Sequence, residues 1–488
     1  VWMATAHDGR TTFSMHKVAY HHRRDGISVH VDVALAPNDD VEVRQVTLHN
    51  ETNQPRTLLV TSAGRPVLTE PNRALSHPAF SSMFIESERV SDLDGILFSR
   101  RQQTPEQPAV VVVHRLVSDS ENTRLVGDES DRGLFYGRGG TRLAPRALAA
   151  EREPVKGRMG TVLDPVMSLT ASVELPAKGS VSLAFVTTVG RTRADAVGLA
   201  RKFGSMHDAH WVFRDAEQEC ARRLARVNLS ADLLPSVQQL YSALLFSNAS
   251  LRSSPQARAL AKPCQSRLWG RGISGDDPIV LLHVRNPEAP VVGDLLAAQR
   301  YLRACGVRLD VVLIDTAPSG YIAEGAGSLK QVLAQNGAEA WLDRHGGIFV
   351  IPADRLDDDE RRHLEASAHV FLDTDDGSLA ARLGRTLDMP PKLPAFEATL
   401  RDPLEVATTS RRALRFDNGT GGFSDDGREY VIELAPGTTT PAPWCNVLAN
   451  PLFGCVASES SLGTTWSQNS GENRLTPWRN DPVLDSPA

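Results

Sequence analysis

The sequence predicts a mixed fold, in which a large antiparallel β-sandwich precedes a helical and α/β region and then a second β region. Three observations favour it. Apolar residues alternate along the first 192 residues, helical periodicity begins near Arg193, and strand and helix patterns alternate from about residue 278 to 385. At 488 residues the chain is also too long for one hydrophobic core, so several domains are expected.

The first β region is expected over residues 1–192. In ISVHVDVAL (27–35) every odd-numbered residue is apolar, which is typical of a strand with one buried face. AVVVVH (109–114) and SVSLAFVTTVG (180–190) are predicted to be further strands. So many strands with few helical stretches favour a large antiparallel sandwich.

Residues 193–262 are expected to form a helical linker. In ADLLPSVQQLYSALLFSNAS, Leu233, Val237, Leu240 and Leu244 recur at helical spacing and define one apolar face. Pro235 is compatible with this helix because it falls in the first turn.

Residues 263–388 are predicted to form an α/β domain with a parallel sheet. Strands are expected at PIVLLHV, RLDVVLID, GIFVIPA and HVFLD, with a helical pattern between each pair. In the first of these helices Asp294 is a candidate N-cap and Gly306 a stop.

A Pro-rich linker (389–409) then leads to a second β region, 410–488. Asp-Asn-Gly and Asp-Asp-Gly triplets within LRFDNGTGGFSDDGREYVIEL are typical of hairpin turns. Both β regions are expected to be truncated, because the chain begins and ends in mid-pattern.

Composition limits the classes of partner and location. The net charge of −6 gives no basic surface for nucleic acid or for an anionic membrane. No stretch reaches the roughly 18 consecutive apolar residues of a spanning helix. Five cysteines indicate reduced thiols in a cytoplasmic protein, with a disulfide between Cys445 and Cys455 as the alternative.

The usual catalytic and cofactor motifs are absent from the sequence, and no metal or organic cofactor is expected. GAGSLK (325–330) is expected to be a turn before a helix. GRGGTR (137–142) is expected to be a flexible surface loop, with an anion site as the alternative. His207 and His210 could share a metal, but no further ligand stands at a suitable spacing.

Two stretches are candidates for ligand binding. SRLWGRGISGDDPIVLL (266–282) joins Trp269 and Asp276 to a buried strand, and is either a structural hinge or a ligand contact. The tail combines aromatic rings with amides and charges, as sugar recognition requires, although a structural network of polar turns is the alternative. Its candidate residues are Trp444, Asn446, Trp466, Asn469, Glu472, Asn473, Arg474 and Trp478.

Four stretches carry a resemblance to a known family. They are HPAFSSMFIESE (77–88), SRLWGRGISGDDPIVLL (266–282), NGTGGFSDDGREYVI (418–432) and TPAPWCNVLANPLFGCVASESSLGTTWSQNSGENRLTPWRNDPV (440–483). In this order they resemble the C-terminal part of cyclic β-1,2-glucan synthases and the phosphorylases of glycoside hydrolase family 94, formerly glycosyltransferase family 36. GTVLDPVMSL (160–169) and VRLDVVLID (307–315) are shorter similarities.

The resemblance implies a β-supersandwich, a helical and α/β connector, and the opening strands of a second supersandwich. It also implies an (α/α)6 barrel beyond this segment, which would carry the general-acid Asp and the phosphate site. No catalytic residue is therefore assigned here. The implied partners are a glucan or oligosaccharide, inorganic phosphate in the intact enzyme, and that barrel.

The implied activity belongs to an intact enzyme, anchored in the inner membrane by other regions, whose phosphorylase-like part controls glucan chain length. For this segment a carbohydrate-binding or structural role is expected. The alternatives are part of a free-standing β-1,2-oligoglucan phosphorylase and a purely non-catalytic assembly module. The sequence departs from the family pattern at Gly471, where a basic residue is usual, at Cys445, and at Asp277, where an apolar residue is common.

Overall fold

The computed structural model describes residues 9–140, 144–149, 152–261, 264–316, 328–384, 412–435, 438–460, 463–478, 480, 481 and 483. The chain forms two compact units. The first combines Val1–Glu219 with Leu404–Ala488, and the second is Cys220–Pro403. The expected linker at 389–409 lies outside the described residues.

The first unit is built mainly from twelve strands of the described residues before position 192. The strands are β1 (Arg10–Phe13), β2 (Val18–Arg24), β3 (Ile27–Leu35), β4 (Val41–Asn50), β5 (Arg56–Gly64), β6 (Ile85–Val90), β7 (Gly95–Arg100), β8 (Val111–Val117), β9 (Thr123–Asp131), β10 (Gly160–Thr161), β11 (Pro165–Leu175) and β12 (Ser180–Gly190). Nine of them form an antiparallel sheet in the order β1-β2-β3-β4-β12-β8-β7-β6-β10, and β5-β11-β9 form a second one.

The apolar residues that alternate along these strands form the sandwich core. Phe98 and Leu183 of the larger sheet pack in one cluster with Leu169 and Val173 of β11 in the smaller sheet. The large antiparallel fold expected for this region is thereby confirmed. The alternation in β3 shifts at its end, where Ala34 is buried and Leu35 is exposed.

Helices in this unit are short until the chain leaves the sandwich. They are α1 (Pro71–Ser76), α2 (Pro78–Ser82), α3 (Arg132–Tyr136), α4 (Arg193–Lys202) and α5 (Met206–Arg226). In α4, a capping box joins Thr192 and Asp195, and the buried face packs on the large sheet. The boundary between the two units falls within α5.

The second unit contains a parallel sheet in the described residues, as the strand and helix alternation predicts. The order is β15-β14-β13-β16, from β13 (Ile279–Val284), β14 (Asp310–Asp315), β15 (Ile348–Pro352) and β16 (Val370–Asp373). The helices are α6 (Leu234–Leu245), α7 (Pro255–Leu260), α8 (Gln265–Trp269), α9 (Pro290–Ala304), α10 (Leu329–Gln335), α11 (Asp358–Ser367) and α12 (Leu379–Gly384).

One expected cap in this unit is wrong. The helix α9 begins at Pro290 after Ala289, so Asp294 lies inside it and accepts a hydrogen bond from the Leu379 N–H instead. The stop at Gly306 agrees with its positive φ of 81° directly after the helix.

The C-terminal segment, residues 412–483, forms two small antiparallel sheets within its described residues. One contains β17 (Gly421–Phe423) and β18 (Tyr430–Ile432), and the other β19 (Cys445–Ala449), β20 (Phe453–Ser458) and β21 (Thr464–Ser467). Cys445 lies opposite Ser458 and Cys455 opposite Leu448. The alternative disulfide is therefore wrong, and none of the five cysteines forms a disulfide.

None of the helices formed by the described residues is long and apolar enough to cross a lipid bilayer.

Candidate functional site

A small cavity in the first unit joins two of the stretches that carry the family resemblance. Its volume is about 80 Å³, so it can hold part of a sugar ring but not enclose a whole ligand. The described residues that line it are Ser76, His77, Pro78, Phe80, Arg474, Trp478 and Asn480. They come from the α1–α2 corner and from the end of the C-terminal segment.

The first wall of the cavity is the corner between two one-turn helices. Pro78 opens α2, where its fixed φ suits the first helical position, and His77 is the non-helical residue between the helices. The Phe80 ring, 54% exposed, makes an edge-to-face contact with Phe84 at 5.1 Å. The Arg100 guanidinium lies over that second ring and donates to the carbonyl of α2 residue Ser81, which fixes the corner to the sheet.

The second wall follows β21. The Asn469 carboxamide oxygen accepts from the backbone N–H groups of Gly471 and Glu472, and so closes a tight turn. Arg474 then returns beside Trp466 in a single antiparallel bridge and donates from Nε to the Ser470 carbonyl. This arrangement places the Arg474 guanidinium 6.0 Å from the centre of the Trp478 ring.

Three polar side chains reach the cavity without a protein partner in the described part of the chain. They are the imidazole of His77, the terminal guanidinium nitrogens of Arg474 and the amide of Asn480. Two exposed aromatic rings, Phe80 and Trp478, flank them. Rings that offer an apolar face beside free hydrogen-bonding groups are what a pyranose needs, because its ring faces are apolar and its edge carries hydroxyls.

Of the residues predicted for carbohydrate binding, Arg474 and Trp478 reach this cavity. Trp444 instead contacts the Tyr430 ring, and its backbone N–H donates to Glu459. The Trp466 ring covers Gly454 on the neighbouring strand.

The other residues of the C-terminal segment that were predicted to bind carbohydrate do not line the cavity. Asn469 closes the turn described above, and the Asn473 backbone pairs with Ser467 and Asn469. Asn446 and Glu472 are exposed. A part for these residues in binding stays a prediction.

Trp269 and Asp276 belong to the second unit. The Trp269 indole N–H donates to the Ser274 carbonyl at 3.1 Å, and the Asp276 carboxylate accepts from Gln265 at 2.9 Å. Both contacts close the loop after α8. Its hinge and ligand interpretations both stay open.

The resemblance covers most of the lining residues, but reasoning from residue types missed four of them. Ser76, His77 and Phe80 were not predicted as site residues because α1 and α2 are too short to show periodicity, and Asn480 was not singled out within the C-terminal stretch. The sequence signal for His77 and Phe80 was the match of HPAFSSMFIESE to the family, and for Asn480 the match of residues 440–483.

Two of the three departures from the family pattern, Asp277 and Gly471, can be explained by their neighbouring residues. Asp277 is buried and lies 3.1 Å from His345 and 3.6 Å from Arg308, so it has basic neighbours that an apolar residue would not need. Gly471 is exposed, and a Cβ there would come within 3.2 Å only of the Asn469 side chain. A Cβ at 471 would therefore need only a small adjustment of that side chain.

Other candidates from the sequence are explained by local contacts. His207 accepts from the Trp211 indole at 2.8 Å, and His210 contacts the Met206 carbonyl at 2.6 Å, so both imidazoles interact within α5. In the described ranges no group of three His, Cys, Asp or Glu side chains is arranged to hold a metal. GAGSLK lies largely outside the described residues.

The GRGGTR stretch is anchored where it is described, and the expectation of a flexible loop is wrong for those residues. Arg138 pairs with the Glu459 carboxylate at 3.1 Å, and the Gly139 N–H donates to the Val483 carbonyl at 2.8 Å. In this stretch the guanidinium therefore contacts a carboxylate of the same chain, and a backbone N–H contacts a carbonyl.

A large β-sandwich and a cavity in which two exposed rings flank polar side chains are compatible with a protein of the carbohydrate-active class. The sequence matches the family described as "Glycosyl hydrolase 94, supersandwich domain" over residues 2–206 and 428–488, which is more than half of the chain. This chain belongs to the glycoside hydrolase 94 supersandwich family.

A curated relative and two solved structures are similar to this chain. Cyclic beta-(1,2)-glucan synthase NdvB of Rhizobium meliloti (strain 1021) is 29% identical over 507 aligned positions, which include 100% of this chain and 18% of the relative. The chain thus spans about a fifth of that protein. Polysaccharide Lyase BACCELL_00875 is 12% identical, with a TM-score of 0.24 over 38% of this chain and 23% of that structure. Heparinase III is 9% identical, with a TM-score of 0.21 over 38% and 21%.

Proposed function

We propose that this chain is the carbohydrate-binding and structural region of an enzyme of the cyclic β-1,2-glucan synthase type. The observation that carries the proposal is the cavity between His77, Phe80, Arg474 and Trp478, which combines two exposed rings with unpartnered donors. Alignment of the whole chain with a synthase supports the substrate class, a β-1,2-linked glucan.

The cavity itself is assigned to binding rather than to bond cleavage. Cleavage of a glycosidic bond needs a carboxylic acid to protonate the leaving oxygen, and the described lining residues include no Asp or Glu. In the intact enzyme we assign this step to the (α/α)6 barrel that the resemblance implies, with inorganic phosphate as the attacking group. Trimming a linear glucan in this way would set its length before cyclisation.

Exposed apolar residues that line the cavity, or that are next in sequence to lining residues, support a contact with that barrel. Leu75, Phe80, Leu475 and Trp478 are large apolar residues with 43% or more of their surface exposed. A neighbouring domain would cover such a surface and leave the bound glucan between the two. We further propose a cytoplasmic location for this region, with the membrane anchor of the intact enzyme elsewhere.

A free-standing β-1,2-oligoglucan phosphorylase is the second candidate, since family membership alone fits both. The similarity to a synthase over the whole chain, including the α/β unit that the family match does not cover, favours the first proposal.

Calorimetric titration of the full chain with β-1,2-glucan oligosaccharides, with and without phosphate, tests the proposal. The expected result is saturable binding with no release of glucose 1-phosphate, and no binding of a β-1,4-glucan oligosaccharide of equal length. Phosphate-dependent turnover by this chain would overturn the non-catalytic assignment, and absence of binding would overturn the carbohydrate assignment.

A further inference from the structure

We infer that Arg132 is a positioning residue for the carbohydrate cavity, because it binds the Asp481 carboxylate, which lies just after the second wall of the cavity. We call this Arg132–Asp481 contact the clamp. The inference rests on the proposed carbohydrate function and names the group that assembles its site. Arg132 does not line the cavity. Its action would be through Asp481, which directly follows the lining residue Asn480.

The clamp is a two-point contact with a buried donor. Arg132 donates from one terminal nitrogen to Asp481 Oδ1 at 2.9 Å and from the other to Oδ2 at 3.0 Å. The first nitrogen also donates to Asp164 at 2.5 Å. The side chains of Arg132 and Asp481 are only 7% and 13% exposed, so water and salt weaken the pair less than a surface contact.

The fold holds Arg132 ready for this contact. It is the first residue of α3, whose N-cap Asp131 accepts from the Gly133 N–H at 2.9 Å. Burial alone lowers the pKa of Arg132, but the hydrogen bonds to Asp481 and Asp164 more than offset this and leave the pKa raised. The guanidinium therefore keeps the positive charge that an arginine normally carries.

A second arginine six residues later holds the same segment. Arg138 donates to Glu459 at 3.1 Å, and Glu459 also accepts the Trp444 N–H at 2.8 Å. The neighbouring Gly139 N–H donates to the carbonyl of Val483, which is 5% exposed. The stretch from Arg132 to Gly139 thus contacts the segment on both sides of the cavity wall.

The cavity wall depends on these contacts because it has no regular structure of its own. Among the described residues, hydrogen bonds of Leu475 and Thr476 with Thr464 and Thr465 are the last links to the sheet before Trp478. The described residues between Thr476 and Asp481 belong to no helix or strand. Trp478 and Asn480 thus lie between two fixed points, the hydrogen bonds to β21 and the Arg132–Asp481 contact. We expect their position opposite His77 and Phe80 to depend on both.

The test compares two arginines of one cluster. Arg65 contacts Asp164 at 3.1 Å but not Asp481, so Arg65→Met is the matched control for Arg132→Met. In full-length protein we expect Arg132→Met to weaken binding of a β-1,2-glucan oligosaccharide at least tenfold, and Arg65→Met to change it less than twofold. Arg132→Lys should be intermediate, because an ammonium keeps the charge but cannot make the two-point contact.

Hydrogen–deuterium exchange supplies a readout that does not depend on sugar. In Arg132→Met, peptides covering 474–483 should exchange faster, while peptides from β11 and β12 should be unchanged. Asp481→Asn should reproduce both effects while Arg132 keeps Asp164. This variant decides the question if Arg132→Met fails to fold.

The outcomes separate this inference from the proposed function. If wild-type protein binds the glucan and Arg132→Met and Asp481→Asn bind it equally well, the clamp does not position the site and the inference is wrong. Equal losses in Arg132→Met and Arg65→Met would also overturn it. If wild-type protein binds no glucan, the proposed function fails, and unchanged exchange at 474–483 would then reject the clamp as well.

Discussion

His114 stacks on Phe185 inside the β-sandwich, with ring centres 5.8 Å apart and planes inclined by 10°. The imidazole is completely buried. Its Nδ1 contacts the Thr187 hydroxyl at 2.9 Å and its Nε2 the Ser62 hydroxyl at 3.1 Å. Because hydroxyls can donate or accept, this cage satisfies a neutral ring and provides no carboxylate for a charged one.

This buried imidazole predicts loss of stability in mild acid. Burial, with a smaller contribution from Arg44, lowers the pKa of His114 to about 3. Between that value and the ordinary pKa near 6.5, the unfolded chain binds a proton that the folded protein does not. The free energy of unfolding should therefore fall as pH falls through this window, by up to about 1.4 kcal/mol per pH unit from this group.

The matched variant for this prediction is His114→Asn, which keeps two hydrogen-bonding groups and cannot titrate. Urea unfolding at pH 7.5 and at pH 5 would measure the difference. The variant should be less stable at pH 7.5 because of its smaller side chain. Its free energy of unfolding should, however, fall less between pH 7.5 and pH 5 than that of the wild type. Equal losses would contradict a role for His114.

A second prediction concerns the aromatic wall of the cavity. Trp478→Ala should weaken binding of a β-1,2-glucan oligosaccharide about tenfold, which corresponds to about 1.4 kcal/mol, because a sugar face loses its stacking surface. Trp211 is a suitable control, since its exposed fraction of 44% matches the 43% of Trp478 and it lies on α5 away from the lining residues. Trp211→Ala should bind the oligosaccharide as the wild type does. An equal loss of affinity in both variants would contradict the assignment of Trp478 to the binding site.

The sequence predicted the layers of the fold better than it predicted the site. Period-two alternation and the βα repetition identified the sandwich and the parallel sheet because burial on one face imposes these patterns locally. The cavity was not predicted, because Phe80 and Trp478 are distant in the sequence. Contacts between such distant segments, for example that of Arg132 with Asp481, 349 residues apart, leave no local sequence pattern. Asn469 was predicted as a sugar ligand from its residue type. Its oxygen closes a local turn, and its part in binding stays a prediction.

A third prediction concerns thiol reactivity. Cys264 is exposed, and the hydrogen bond with the Ser266 hydroxyl at 2.9 Å, supported by backbone N–H groups, lowers the pKa of its thiol. Because the thiolate is the nucleophile, Cys264 should react with iodoacetamide faster than the other four cysteines at pH 7.5, as followed by peptide mass spectrometry. Ser266→Ala should slow the reaction of Cys264 with iodoacetamide and leave the rates of the other four cysteines unchanged. If the rate at Cys264 did not change, the Ser266 hydroxyl would not be what lowers the pKa of the thiol.

The last prediction is steric and concerns the sheet that leads to the cavity. Gly454 pairs with Trp466 across β20 and β21, and a Cβ at 454 would lie 2.3 Å from the indole ring. Since no real contact is this close, Gly454→Ala must displace the ring, and the local free energy of opening should fall by about 1–3 kcal/mol. Faster hydrogen–deuterium exchange of peptides from β19 to β21 would show this loss of local stability.

Gly198→Ala is the control, because Gly198 lies within α4 with open space around its Cβ position, and alanine there should slow exchange of that helix. A second change, Trp466→Val, should restore part of the lost protection in the Gly454→Ala background, whereas a backbone effect of the alanine would persist.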